Sequence, residues 1–481
     1  MHIGLLTDFV SVNFVNGSSL STQAMKRTLQ ERGHRVTLIG PRPGRDDRAA
    51  APGSLLLGSV SSRAHPHLRI PFPWPPQTWT SRPEFQVIHS HASSLSMHWA
   101  PLIRELHGVP TLSTSTVFPP AFAQRLLPNA LYDVAAVRGT WSGVSPWIEG
   151  QFRDLYNAGD GVTVPCEGMA AYWQKSGLNV PLHVIPRPID ARTFDMPLGA
   201  DPFRPEFKRG GRMLAVCQHV REKDLHKLLS TFAHHVLPYV PQASLTLVGD
   251  GPEHRALQQL ARTIGVWHRC EFPGEKPQRD LPAWYRWADV FACPSLSETF
   301  GQGVSEALWS GTPVVGADDQ MGVASQVKHQ KNGLLIEPGP DFERSMGAAL
   351  RSLIDDSPLR LAYGRDAAEM QRLACAADVV YAAYERAYAA AIEHIRSRPP
   401  RFGDGAALSR AWWIAKDQLA PWTWMHGVAY GVAALRGRLS YKPKQDVPFD
   451  AAPDEALDGP FDASAPATEP PRRPEPPAPL R

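Results

Sequence analysis

No Asp-x-Asp triplet occurs in the 481 residues, so the carboxylate pair that often anchors a divalent cation on a diphosphate is missing. Cysteine is sparse: Cys166, Cys217, Cys270, Cys293 and Cys375 lie far apart, without paired spacing and in odd number. That excludes a zinc cluster and a disulfide framework and fits a reducing compartment. Excess charge of one sign is also absent, since 50 Lys and Arg stand against 47 Asp and Glu for a net +3. A basic face for nucleic acid is therefore not expected. The start, Met-His-Ile-Gly-Leu-Leu-Thr-Asp, has no basic leader and meets Asp8 early, so it reads as a first strand rather than a signal peptide. One stretch without charge, Gln418 to Leu435, approaches the length of a minimal span, but Pro421, Thr423, His426, Gly427 and Gly431 interrupt it and argue against a membrane span.

What is present is a 43% hydrophobic, globular composition, too long for one core. At roughly 150 residues per domain, two or three units are expected. Residues 3 to 6, a helix to about Arg32 and Arg35 to Gly40 read as strand, helix, strand. Strands are expected again at 85–89, 108–114, 161–165 and 182–186, with one or two short ones inside the Pro-, Arg- and Ser-rich 41–84. After Asp190 a Pro- and Arg-rich stretch to about Gly211 reads as a linker, and alternation restarts at Met213. The organisation is then an N-terminal parallel α/β domain (1–200), a second one (210–375), a helix returning to the first (376–397), a Trp-rich amphipathic segment (405–441) and a disordered, Pro-rich tail (442–481).

The chain is organised around residues 292 to 316, where seven residues separate Glu298 from Glu306 around Gly301 and Gly303. Val290 to Ala292 reads as a buried strand stopped by Pro294; Ser297 and Thr299 are candidate caps for a helix from about Gln302 to Ser310, closed by Gly311. Glu298 belongs to the loop, Glu306 to the helix. Were the whole span helical the two would stand ~12 Å apart at 1.5 Å per residue, too far to flank one bond as nucleophile and acid about 5 Å apart. They are expected to hold different parts of one elongated ligand, with glycines admitting close backbone approach and first-turn amides meeting oxygens. A sugar nucleotide has that shape.

These glutamates, Phe300-Gly301-Gln302 between them, the Glu222-Lys223 pair and the Gly249-Asp-Gly-Pro252 turn form an ordered set that resembles the retaining GT-B glycosyltransferases of family four. The match is strongest over 213–340, weaker over 1–195 and absent after about 400. The resemblance implies two Rossmann-like domains facing a cleft and transfer of a hexose from a UDP or GDP sugar to a lipid or polysaccharide hydroxyl. It also implies retention by same-face attack, with no enzyme nucleophile and no metal. Glu298 would contact the sugar as the catalytic-site carboxylate, assisted by amides at Phe300, Gly301 and Gln302; Glu306 would bind ribose; Lys223 and amides near Gly17 would neutralise the diphosphate, and Gly249 would belong to the donor-binding set.

Two departures stand out. Where the family commonly has Gly-Arg before the lysine, this chain has Cys217-Gln218, and Gln218 cannot present an arginine's bidentate charge. Arg221 either compensates or is an ordinary surface arginine. Where a histidine is common after the fourth strand stands Thr116, leaving Thr116 and His91 as acceptor-side candidates, His91 being alternatively structural. Trp412, Trp413, Trp422 and Trp424 with flanking Arg and Lys suit either an anionic membrane surface or packing on the N-terminal domain. A cytoplasmic enzyme, peripheral at the inner membrane face, is the reading; a non-catalytic nucleotide-sugar-binding partner, a sugar-nucleotide epimerase and a phosphorylase are the alternatives. Donor base, acceptor and oligomeric state are left open.

Overall fold

A computed structural model of the chain describes residues 1–8, 10, 17–43, 53–61, 69–71, 84–92, 95–115, 117–120 and 144–400. Thr116, the Trp-rich segment 405–441 and the tail 442–481 lie outside the described residues.

The first sheet is wholly parallel, in the order β3-β2-β1-β6-β7-β8-β9. Its strands are β1 (His2–Leu6), β2 (Arg35–Pro41), β3 (Leu55–Leu57), β6 (Val87–Ser90), β7 (Thr111–Thr114), β8 (Val162–Val164) and β9 (Leu182–Val184), while β4 (Ser59–Ser61) and β5 (Arg69–Pro71) pair antiparallel apart from it. Helices α1 (Gly17–Glu31), α2 (Trp99–His107), α3 (Val144–Asn157) and α4 (Glu167–Lys175) cover it. Ile3, Leu5 and Leu6 are all fully buried, as expected of a strand covered on both faces. Strand order reverses between β1 and β6, so their C-terminal ends open a crevice.

The second sheet repeats the plan as β12-β11-β10-β13-β14-β15. Its strands are β10 (Arg212–Val216), β11 (Ser244–Val248), β12 (Cys270–Gly274), β13 (Val290–Cys293), β14 (Val314–Ala317) and β15 (Gly333–Ile336). Between them run α5 (Leu225–Thr231), α6 (His254–Thr263), α7 (Leu281–Trp287), α8 (Gln302–Trp309) and α9 (Gly322–Gln326), followed by α10 (Phe342–Asp355) and α11 (Ser357–Cys375). The reversal here lies between β10 and β13. Both strands are registered by Asp289, whose Oδ2 accepts from the amides of Gly210, Gly211 and Arg212 at 2.7, 2.9 and 2.9 Å. Arg360 meets the other oxygen at 3.5 Å, which ties α11 to the same corner.

The Pro- and Arg-rich stretch after Asp190 is packed rather than loose. Ile189, Phe194, Phe203 and Phe207 are buried in one cluster with Trp284, Tyr285 and Trp309 of the second domain. Arg212 fastens it by an ion pair to Asp201 at 2.8 Å, a bond to the Phe207 carbonyl and a position 4.8 Å over the Phe203 ring. Asp190 caps the one-turn helix Ala191–Phe194 through the Arg192 amide.

The last described helix, α12 (Ala377–Ser397), returns to the first sheet. Val380, Tyr381, Tyr384, Ala387, Tyr388 and Ala391 recur at three and four residues and are buried against Ile3, Leu5, Met25 and Leu112. Tyr388 Oη meets His89 Nδ1 at 2.8 Å inside that contact, and Glu385 takes a bidentate Arg32 fork at 2.8 Å on its outer edge. No described helix is long and apolar enough to cross a membrane.

Candidate active site

The apolar run Val290–Cys293 is fully buried, and Pro294 turns the chain out into the loop that carries Glu298. The helix that follows begins differently from the sequence expectation: neither Ser297 nor Thr299 caps it. Gly301, at φ +79°, occupies the cap position, with no side-chain cap bond. A glycine adopts that left-handed backbone without strain, and the first-turn amides of α8 are left for an outside oxygen. A Cβ on Gly303 would stand 2.7 Å from the Val216 carbonyl, so only glycine lets α8 start so close to the end of β10.

The loop is gripped from behind by α9. The Gly322 amide donates to the Glu298 carbonyl at 2.9 Å, and Gln326 Nε2 donates to the carbonyls of Phe300 and Gly322. Asp319 holds the start of α9 by accepting from the amides of Met321, Val323 and Ala324 at 2.9, 3.1 and 3.0 Å. The first domain touches the same loop: Cys166 Sγ donates to the Thr299 carbonyl at 3.2 Å, and a Cβ on Gly168 would meet the Gln320 carbonyl at 2.2 Å. Glu298 thus stands on a loop fixed on both sides.

In front of the loop lies a cavity of ≈ 370 Å³ at the switch between β10 and β13. Lys223 reaches into it from the short turn Arg221–Lys223, which Ser295 Oγ steadies by donating to the Glu222 carbonyl at 3.1 Å. Its Nζ lies 2.5 Å from Glu298 Oε1, with the two side chains only 18% and 12% exposed. Burial pulls the Lys223 ammonium down, but the charge and hydrogen bond of Glu298 more than reverse it, leaving the net shift upward. Glu306, on α8, accepts from Tyr285 Oη at 2.8 Å and Gln302 Nε2 at 3.3 Å. Burial nonetheless raises its carboxyl to about 7. Burial also pushes the Cys217 thiol up to about 12 and Cys293 well above its usual range, so neither is a thiolate nucleophile at neutral pH.

Of the residues singled out in the sequence, Lys223, Glu298, Phe300, Gly301, Gln302 and Glu306 line this one cavity. Gly249 does not; at φ +132° it lies under the cavity wall, where a Cβ would collide with the Cys217 carbonyl at 1.9 Å. Arg221 opens the Lys223 turn without lining the cavity, and Gly17 begins α1 in the first domain. His91 is buried and bonded through Nδ1 to Thr22 Oγ1 at 3.1 Å; burial, with the Arg187 charge second, lowers its pKa to about 4, so the ring is neutral. Among the lining residues that had not been singled out as site residues, Tyr285 and Arg187 carry polar groups the sequence did not draw attention to. Tyr285 orients Glu306 from an apolar helix whose pattern looks purely structural. Arg187, in Pro186-Arg187-Pro188, looks like one more charge in a polar connection.

Two parallel α/β units, a cavity at the strand switch of the second and a helix returning to the first define a GT-B glycosyltransferase fold. The family description "Glycosyl transferases group 1" matches residues 202–370, and "Glycosyltransferase Family 4" matches residues 15–193. The chain is a GT-B glycosyltransferase of the family-four type. It is 25% identical to sulfoquinovosyl transferase SQD2 of Arabidopsis thaliana over 364 residues, 74% of this chain and 67% of that one. It is 30% identical over 183 residues to the GDP-mannose-dependent alpha-(1-6)-phosphatidylinositol monomannoside mannosyltransferase of Mycobacterium tuberculosis, 36% of this chain and 47% of the relative. The chain thus spans two thirds of the first relative and less than half of the second. Among solved structures, Anabaena HepE in complex with UDP and glucose superposes with a TM-score of 0.60 at 16% identity, over 81% of this chain and 99% of that one.

Proposed function

We propose that the chain transfers a hexose from a UDP or GDP sugar to a hydroxyl of a lipid or polysaccharide acceptor, with retention at the anomeric carbon. The observation that carries this reading is the juxtaposition of Lys223 and Glu298, 2.5 Å apart, before the uncapped first turn of α8. Lys223 and the α8 amides take the diphosphate, Glu298 takes sugar hydroxyls and Glu306 the ribose. The relatives' names support donor and acceptor class: HepE holds UDP and glucose, and the mycobacterial relative is named for GDP-mannose and a phosphatidylinositol mannoside.

In the reaction the bond between the anomeric carbon and the phosphate oxygen breaks on the face where the acceptor hydroxyl attacks. The new C–O bond forms there, and the hydroxyl proton passes to the departing phosphate oxygen. No protein nucleophile is needed. The protein's part is to stabilise charge building on the leaving group, the task of preorganised amides and cations. In this reading no metal is required, so transfer should persist in EDTA. Acceptor choice belongs to the loops around 9–20, 41–84 and 116–130, and contact with a membrane to 405–441.

The test is incubation with UDP- and GDP-hexoses and a lipid extract or polysaccharide acceptor. Glu298→Gln should cost at least about 100-fold in transfer with the fold retained, in the range of losing a transition-state contact. An unaffected variant sinks the site assignment. Nucleotide binding without turnover on any acceptor points instead to a non-catalytic binding role, free nucleotide release without acceptor to epimerase chemistry, and dependence on inorganic phosphate to a phosphorylase.

A further inference from the structure

The cavity is short of positive charge for a diphosphate at the place where the sequence led one to look. Gln218 lines it where a guanidinium was expected, and Lys223 is already shared with Glu298. We propose that Arg187 is the second cation on the donor's diphosphate, standing in for the arginine absent at position 218; this rests on the donor reading above.

Arg187 reaches the cavity from the segment that follows β9 and connects the two domains. Its backbone is stiff, because Pro186 and Pro188 flank it; a proline fixes its own φ and restricts the residue before it. The segment is anchored one residue later, where the amide of buried Ile189 donates to the Cys375 carbonyl at 2.9 Å. A rigid, anchored arginine loses little further freedom when it grips a ligand.

Its electrostatic surroundings are those of a cation awaiting an anion. Among the described residues no carboxylate comes within ion-pair distance; Glu298 and Tyr384 act on it only through the field. Burial lowers the guanidinium, so its charge is held at a cost that a bound anion would remove. His91 next to it stays neutral and does not compete for that anion. Glu298 pairs through Oε1 with Lys223 and lies beyond ion-pair distance of Arg187. A phosphate group entering between Arg187 and Lys223 would meet a planar fork from one side and an ammonium from the other. The arrangement also joins the two halves of the chain to the donor, since Arg187 precedes β10 and Lys223 follows it.

The test begins with calorimetry of the full chain against UDP, GDP and ADP, to find the nucleotide it binds. Arg187→Gln should then weaken that nucleotide by about 10- to 100-fold and lower transfer by about 100- to 1,000-fold, as loss of one charge-stabilising group does. Arg187→Lys should recover part of both. The discriminating variant is Arg187→Gln combined with Gln218→Arg, which restores a guanidinium from another residue of the cavity lining and should regain at least about tenfold in binding and in turnover. If Arg187→Gln binds and transfers within threefold of the unsubstituted chain, the inference is overturned. It is overturned equally if Arg187→Gln loses binding and Gln218→Arg returns none of it, because a merely structural arginine would behave in that way. Failure of the unsubstituted chain to bind any of the three nucleotides overturns the donor reading itself, and the Arg187 assignment with it.

Discussion

Replacing Glu306 with glutamine should make the ligand-free protein more stable at alkaline pH and worse at its work. Glu306 is 5% exposed, and burial raises its carboxyl from 4.5 to about 7 despite the Tyr285 and Gln302 hydrogen bonds. Below about pH 4.5 the group is protonated in both the folded and unfolded chain and contributes no difference. Between about 4.5 and 7 the unfolded chain ionises while the folded one keeps its proton, so native stability falls as pH rises. Above about 7 the folded state carries the full penalty of a buried carboxylate, an upper bound of about 3 kcal/mol at 1.36 kcal/mol per pKa unit. Glutamine keeps the shape and an acceptor for Tyr285, and has no charge to bury. Glu306→Gln should therefore melt close to the unsubstituted protein at pH 5 and several degrees higher at pH 8.5, taking roughly 2–4 °C per kcal/mol. Nucleotide affinity should meanwhile fall by about 10-fold, the loss of a charged acceptor for the ribose hydroxyls. Scanning calorimetry at the two pH values, with and without the nucleotide, reads both effects. A melting difference that does not grow with pH would refute the buried-carboxylate argument, and unchanged nucleotide affinity would refute the ribose assignment.

Glu298→Gln, which should abolish transfer, should also bind free nucleoside diphosphate about fivefold tighter, because Lys223 is released from a pair worth about 1 kcal/mol; weaker binding in titration calorimetry would contradict that competition. Gly249→Ala puts a methyl 1.9 Å from the Cys217 carbonyl at φ +132°, and should cost several kcal/mol, with a lower melting temperature and loss of nucleotide binding together. A silent alanine there would refute the loop geometry. Glu385, held down to about 2 chiefly by the Arg32 hydrogen bond, contributes stability that is present above about pH 4.5 and lost as pH falls toward 2. The pair is about 30% exposed, so after solvent screening its worth is about 1 kcal/mol, and Glu385→Gln should lower the melting temperature at pH 7 but not near pH 2.

How much of this was legible depends on the physical signal at each place. The Val290–Cys293 strand and the Tyr381, Tyr384, Tyr388 face of the returning helix were readable because burial on both faces of a strand, or on one face of a helix, leaves an unbroken periodic mark. The second-sheet edge strand Cys270–Gly274 was missed, since it is short and holds Pro273, which an edge tolerates and a sequence reader takes for a loop. Phe194, Phe203 and Phe207 were missed as core for another reason: single aromatics spaced through Pro-rich sequence have no period, and only the second domain's surface reveals where they go. The helix cap was misread because Ser297 and Thr299 carry the usual capping chemistry, whereas the helix begins at left-handed Gly301, whose backbone leaves the first-turn amides open to an outside oxygen.

The charges that line the cavity bear on one apparent weakness of the sequence, the glutamine at position 218. Empty, the cavity brings Lys223 against Glu298, whose charges cancel, and leaves a half-ionised Glu306 near pH 7 opposite the charge of Arg187. On the proposed donor reading a diphosphate would displace Glu298 from Lys223, and the freed carboxylate would turn to the sugar hydroxyls that arrive with it. Binding of the two ends of the donor would then be coupled through that exchange, and a nucleotide without its sugar would leave Glu298 unsatisfied. On the same reading, discrimination in favour of the whole sugar nucleotide over its diphosphate product would follow from this ion pair, which would re-form as the product leaves. On that reading Gln218 forfeits a permanent cation at the diphosphate but leaves the exchange intact, because the exchange runs through the Lys223–Glu298 pair.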